Sequence, residues 1–261
     1  MALPAESTGS DAGSAKISSK KAVELQVFAA NSLEKALPEV QKLYTEQTGT
    51  TFADTQFKAS GDLVEQMRAG ATVDVLITAS KGTMDDAEAA ELVDTREDMF
   101  VNDLVVIRAE GSDTKVEAIA DIASLDGKIA IGDAKTVPAG KYANQALASA
   151  GLYTGAEGDD GEYAPEIADK VALADKVGTA AAYVSTGDCV AGFVYSSDIF
   201  RYDGIEEAFV CPEDSHKPIV YPGAVAESSE HADEAKAFID FCLTNKKAQK
   251  IWAKYGFELS E

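Results

Sequence analysis

VFAANSLEKAL, residues 27–37, runs an apolar strand through two alanines and Asn-Ser straight into a helical pattern, with no further turn residue between them. That order leaves the N–H groups of a first helical turn exposed beside a hydroxyl, and such a helix start attracts anions. Working outward, VELQVFA alternates apolar and polar residues, whereas Leu33, Leu37, Val40, Leu43 and Tyr44 recur at helical spacing as far as Thr48-Gly49. Pro38 falls inside that helical pattern and predicts a kink or an interruption.

The same order recurs along the chain. TTFADTQFKA predicts a strand, and Ser60-Gly61 opens a helix with Leu63, Val64 and Met67 on one face, closed at Gly70. VDVLITA is a nearly continuous apolar run, the pattern of a strand buried on both faces of a parallel sheet. MDDAEAAELV reads as helix and DLVVIRA as strand, followed by KIAIGDA as strand and TVPAGKYANQALASAG and KVGTAAAYVSTG as helices. CVAGFVYSSD and EEAFVCPE read as strands, and the chain closes with a helix pair whose Phe238, Phe241, Leu243, Ile251 and Trp252 are core contacts. This alternation predicts a doubly wound α/β protein with mostly parallel sheets, and 261 residues suit two lobes better than one.

Composition narrows the function. The net charge is −22, from 45 acidic and 23 basic residues, which argues against nucleic acid or anionic lipid as a partner. No run approaches the roughly 20 apolar residues of a membrane span. So acidic a chain repels anions at long range, and an anion site on it has to work through short-range, neutral donors; the alternative is that the acidity serves solubility alone. Cys189, Cys211 and Cys242 lack metal-ligand spacing and leave two readings open, a Cys189–Cys211 disulfide or three buried thiols. Residues 1–21, rich in Ser, Ala and Gly, read as a flexible tether outside the fold without a signal-peptide apolar core.

Four places where a loop enters a helix carry most of the functional information: Ser32, Ser60, Ala139 and Val177. Ser32 and Ser60 each offer a hydroxyl and a backbone N–H, and Pro138 suits a first helical turn, leaving Ala139 and Gly140 to present theirs. Each start carries about half a positive elementary charge, so several converging would offset much of a dianion without Lys or Arg. Each residue also has a plain structural reading, Ser32 and Ser60 as helix caps and Tyr195 as a core aromatic. Asp62, in the first turn after Ser60, reads as an outward-facing acid favouring the helix dipole or as an acceptor for the proton of hydrogen phosphate.

Taken together, VFAANSL, GATVDVLITAS, VNDLVVI, VPAGKYANQAL, AGFVYSSD, PEDSHKPIVYP and the terminal KYGF resemble, in order and over nearly everything after Val23, the extracytoplasmic molybdate-binding proteins of ABC transporters. The resemblance implies a two-lobed periplasmic-binding-protein-like fold with ligand in the inter-lobe cleft. Lobe 1 would comprise residues 22–103 and 222–261, and lobe 2 residues 104–221, with residues 100–107 crossing outward and 217–225 crossing back. By analogy, Ser32, Ser60, Ala139, Val177 and Tyr195 would hold molybdate or tungstate, molybdenum being present only within the oxyanion. Val177 is matched mainly by spacing, and Asn31 stands where a small apolar residue is common in the family. The implied partner is a membrane permease, with no cofactor, no nucleic acid, a monomeric state and an extracytoplasmic location, periplasmic or lipid-anchored at the cell surface.

Three rivals follow from the same residues. The fold could serve sulfate, phosphate or an organic carboxylate, although the matched positions lack the Arg that usually pairs with a carboxylate. A serine hydrolase would need a base near Ser32 or Ser60, yet His216 and His231 are the only histidines and lie in hydrophilic segments. A ligand-sensing regulator would be expected to carry a DNA-binding element, and none is evident.

Overall fold

Two sheets organise the computed structural model, which describes residues 23–260. The tether reading for residues 1–21 therefore lies outside the described residues. The larger sheet has six strands in the order Glu258–Leu259, Val93–Asn102, Ile219–Ala226, Val75–Ile77, Val27–Ala30 and Gln56–Lys58. The smaller has five, in the order Ile205–Val210, Leu104–Ala109, Ala191–Tyr195, Ile129–Gly132 and Val171–Ala174.

Both sheets are mixed, where the sequence suggested mostly parallel ones. Strands joined through helices pair in parallel: Val27–Ala30 with Gln56–Lys58 and Val75–Ile77, and Ile129–Gly132 with Val171–Ala174 and Ala191–Tyr195. The remaining pairs are antiparallel because the chain crosses between the sheets and returns. Val93–Asn102 passes into Leu104–Ala109 with only Asp103 between them, inside the expected crossing at residues 100–107. The return strand Ile219–Ala226 pairs along its whole length with Val93–Asn102. Strand pairing therefore puts Ile219–Tyr221 with the larger sheet, whereas the sequence reading assigned them to lobe 2.

Local chemistry explains two further departures. After Val27–Ala30 the chain makes a single 3-10 turn, Asn31–Leu33, and the α-helix starts only at Ala36, running to Thr48 and ending on Gly49 in the left-handed region. Pro38 is the third residue of that helix, in the first turn where N–H groups have no intrahelical acceptor, so it breaks no helix bond and causes no interruption. TTFADTQFKA divides into two short strands, Thr51–Phe52 and Gln56–Lys58.

The smaller sheet is covered on both faces. Helix Pro138–Ser149 packs with Ile129, Ile131 and Phe193, and helix Val177–Ser185 packs with Val105, Ile107, Ala130 and Val194 on the other side. Gly140 permits the first of these contacts, since a Cβ there would overlap the Gly132 carbonyl. On the larger sheet, Phe100, Trp252 and Phe257 form a buried aromatic cluster, and Phe238 joins Tyr44 and Phe52 in another. The terminal helix pair is thereby fixed against the sheet, with Phe241, Leu243 and Ile251 half-buried at its margin.

Candidate functional site

Three of the four anticipated starts are helix N-termini, and the fourth is the 3-10 turn. Ser60 is the first residue of helix Ser60–Arg68, Ala139 the second of Pro138–Ser149, and Val177 the first of Val177–Ser185; Ser32 is the middle residue of the turn Asn31–Leu33. The residues preceding them, Ala30, Ala59, Val137 and Lys176, make no side-chain cap bond. The N–H groups of Ser60, Ala139 and Val177 therefore remain for an external acceptor, whereas those of Gly140 and Thr179 in the same first turns bond the Val137 and Lys176 carbonyls. Side-chain caps occur elsewhere, Asn245 closing Lys246–Lys254 and Ser80 closing Lys81–Ala89, while Ala36–Thr48 and Ala232–Thr244 have none either.

Neither serine acts as a cap. Ser60 Oγ accepts the Ala79 N–H at 2.9 Å, which leaves its own proton to donate elsewhere. The buried Tyr221 phenol accepts from Asn102 Nδ2 at 3.2 Å. Asn102 in turn donates to Ser197 Oγ at 2.8 Å and accepts from Ser196 Oγ at 2.7 Å. A buried polar network thus runs from Tyr221 on the return strand through Asn102 on the crossing strand to the two residues after Tyr195.

Tyr195 ends strand Ala191–Tyr195 and is 5% exposed, and its hydroxyl oxygen is buried with no hydrogen-bond partner in the structure. A buried unpaired phenol is costly unless something completes it. Burial also raises its pKa well above the ordinary tyrosine value, so it stays protonated and can donate. Its backbone N–H donates to Asp198 Oδ2 at 3.1 Å. Asp198 is fully buried, and desolvation raises its pKa while the neighbouring Arg201 charge opposes the rise. Arg201 reaches Asp198 Oδ1 at 2.7 Å and Glu34 Oε1 at 3.1 Å.

Ser32, Ser60, Ala139, Val177 and Tyr195 all line one cavity of about 540 Å³ between the two sheets. The sequence reading missed Lys58, Lys176, Asp198 and Arg201, which line it as well. Asp198 and Arg201 carried a readable signal, an acid–base pair three residues apart directly after the Tyr195 strand. Asp62 is exposed on the cavity wall, and its carbonyl accepts from Gln66 Nε2. Asn31 also lines the cavity from an exposed position. A second cavity of about 820 Å³ adjoins the first and shares Ser80, Thr83, Thr136, Val137 and Pro138 with it.

Other candidates fall away from this cleft. His216 and His231 line neither cavity, and His216 Nδ1 lies 2.8 Å from the Lys217 carbonyl. Of the two cysteine readings the structure takes the second, with Cys189, Cys211 and Cys242 as separate buried thiols. Burial pushes the Cys211 thiol up to about 12. Among the described residues no group of His, Cys, Asp and Glu could hold a metal ion, and no helix is long and apolar enough to cross a membrane.

A cleft between two sheets, lined by helix starts from both and joined by crossing strands, defines a two-lobed ligand-binding protein of the periplasmic type. The chain belongs to the bacterial extracellular solute-binding protein family, whose sequence profile matches residues 25–258. It is 33% identical over 243 residues to the molybdate-binding protein ModA of Escherichia coli, covering 90% of this chain and 89% of that one. It is 29% identical over 253 residues to the putative ABC transporter substrate-binding lipoprotein YvgL of Bacillus subtilis, covering 95% and 92%. Among solved structures it resembles the substrate-binding domain of a putative molybdenum ABC transporter from Clostridium difficile, at a TM-score of 0.77 and 32% identity, covering 92% of this chain and all of that one.

Proposed function

We propose that the protein captures molybdate or tungstate outside the cytoplasm and delivers it to the membrane permease of an ABC transporter. The observation that carries this reading is the buried Tyr195 hydroxyl, unpartnered and held in one cleft with the Ser60 hydroxyl and the uncapped turns at Ser32, Ala139 and Val177. A tetrahedral dianion with four acceptor oxygens would complete all of these donors together. Ligand would touch both lobes only when they close, so binding shifts an open–closed equilibrium by its differential affinity for the two states. The closed surface is what the permease would recognise.

The donor set also sets the selectivity. Ser60 Oγ already accepts from Ala79 N–H, so it faces the ligand as a donor, and the raised pKa of Tyr195 keeps its phenol a donor. Molybdate carries no proton near neutral pH and needs donors only, whereas hydrogen phosphate also needs an acceptor. Sulfate differs from molybdate in size rather than charge, so cavity radius has to separate those two. No catalytic step is assigned: Ser32 and Ser60 have no histidine in the cleft to activate them. The protein acts as a monomer without a cofactor or nucleic-acid partner, and the lipoprotein name of the Bacillus relative supports a location outside the cytoplasm.

Thermal unfolding with molybdate, tungstate, sulfate and phosphate at matched ionic strength tests the reading. Ligand at 100 times its Kd stabilises by about 2.7 kcal/mol, which moves the midpoint of a domain this size by roughly 5–10 °C. A shift with molybdate and tungstate supports the proposal; none with either, or a larger one with sulfate or phosphate, rejects it.

A further inference from the structure

We propose that Asn102 is the positioning residue of the oxyanion site: its carboxamide, carried by the larger sheet, grips the two residues after Tyr195 and so aims the Tyr195 phenol at the ligand before any ligand arrives. The inference rests on the oxyanion reading above. It answers a question that reading leaves open, namely what directs a buried hydroxyl that has no partner of its own.

The Tyr195 phenol is held from behind. Because its oxygen makes no hydrogen bond, the direction of the ring has to come from packing and from the backbone on either side. Tyr142 meets the ring edge-on, with 6.4 Å between centroids, and the Tyr195 N–H is tied to Asp198. On the C-terminal side, the Ser196 N–H donates to the Asp103 carbonyl at 2.9 Å. Ser196 Oγ donates to Asn102 Oδ1 at 2.7 Å and shares its proton with the Gly256 carbonyl at 3.0 Å. Asn102 Nδ2 completes the grip on Ser197 Oγ at 2.8 Å.

Asn102 does this across the boundary between the sheets. It ends strand Val93–Asn102, opposite Ile219 of the return strand, so its backbone belongs to the larger sheet. Tyr195 ends strand Ala191–Tyr195, opposite Leu104 just past the crossing, so its backbone belongs to the smaller one. With the Tyr221 phenol also bonded to Nδ2, the carboxamide makes three of its four possible hydrogen bonds. Asn102, Ser197 and Tyr221 are all buried, where an apolar side chain would fill the same space. A satisfied buried network fixes directions that apolar packing leaves free.

A double-mutant cycle with Tyr195→Phe tests the role. Asn102→Leu keeps the size of the side chain and removes all three bonds. Acting through the phenol, it should weaken molybdate binding about tenfold in the otherwise unaltered protein and less than about twofold in Tyr195→Phe, where no hydroxyl remains to aim. Ser196→Ala leaves Asn102 bonded to Ser197 and Tyr221 and runs the same cycle should Asn102→Leu not fold, with about threefold expected in place of tenfold. Equal losses with and without the phenol, or no loss in either background, overturn the proposal. A second readout needs no ligand. In free protein carrying tyrosine labelled at Cζ with carbon-13, the Tyr195 signal, identified by its absence from Tyr195→Phe, should be one sharp line that broadens or splits in the Asn102 or Ser196 variant. An unchanged line overturns the positioning role. A changed line in a protein that binds no molybdate would keep that role and overturn the oxyanion reading instead.

Discussion

Arg201 donates from Nε to Glu34 Oε1 at 3.1 Å and so ties the turn after Tyr195 to the turn after Ser32, across the two sheets. Its other contact, Asp198 Oδ1, belongs to the carboxylate whose Oδ2 holds the Tyr195 N–H. One guanidinium thereby sets the spacing of two proposed binding residues from opposite lobes. The Glu34 half of the bridge is partly exposed, where such pairs contribute about 0.2–1 kcal/mol. Glu34→Gln should weaken molybdate binding by roughly two- to fivefold through faster dissociation, with the ratio of molybdate to tungstate affinity unchanged. Unchanged dissociation in a chase experiment would remove Glu34 from the closure.

Ser60→Ala separates a binding role from a structural one. The variant loses one charge-assisted hydrogen bond to ligand, about 1.5–3 kcal/mol, or roughly 10- to 150-fold in Kd. It also strands the Ala79 N–H, so the ligand-free protein should lose about 1 kcal/mol in a denaturant titration. Loss of stability with unchanged molybdate affinity would leave Ser60 a purely structural acceptor.

Tyr195→Phe should act in the opposite sense on the free protein. The hydroxyl removed has no partner, so the ligand-free form should be as stable as before or more so, while molybdate affinity falls by at least tenfold. A less stable free protein would mean that the phenol is satisfied in the apo state.

The pH dependence follows from buried phenols. Burial raises Tyr195 well above its ordinary value, so molybdate affinity should be flat from about pH 7 to 9.5. Stability behaves differently. Desolvation pushes Tyr163 up to about 12, and the unfolded phenol ionises near 10. Because the folded value is the higher one, this contribution is complete below pH 10 and is lost as pH rises from 10 toward 12. A free-protein stability that rises over that interval, measured by urea titration, would contradict the assignment.

The cleft was legible in sequence to the extent that its chemistry is local. Ser60, Ala139 and Val177 were marked by strand-to-helix transitions, and Pro138 by its fitness for a first turn, all properties of a few neighbouring residues. What escaped depends on contacts across the fold. The Arg201–Glu34 bridge spans 167 positions, and the Ser196–Asn102–Tyr221 network joins residues from three separate segments. The antiparallel half of the larger sheet escaped because Val93–Asn102, with its charged DTRED run, carries no continuous apolar signal, so its pairing with Ile219–Ala226 was not readable although a crossing at residues 100–107 was expected. Pro38 misled because one residue of helix start decides whether proline breaks a bond or occupies a position that had none to lose.

Neutral dipoles and hydroxyls from two lobes are the core of this account. A crystal structure of the protein grown with molybdate, phased on the molybdenum anomalous signal, tests it most directly. The account requires one anomalous peak in the cleft, with oxygens bonded by the hydroxyls of Ser32, Ser60 and Tyr195 and by the N–H groups of Ala139 and Val177. A peak held by lysine Nζ atoms or by Arg201, or lying outside the cleft, would contradict it.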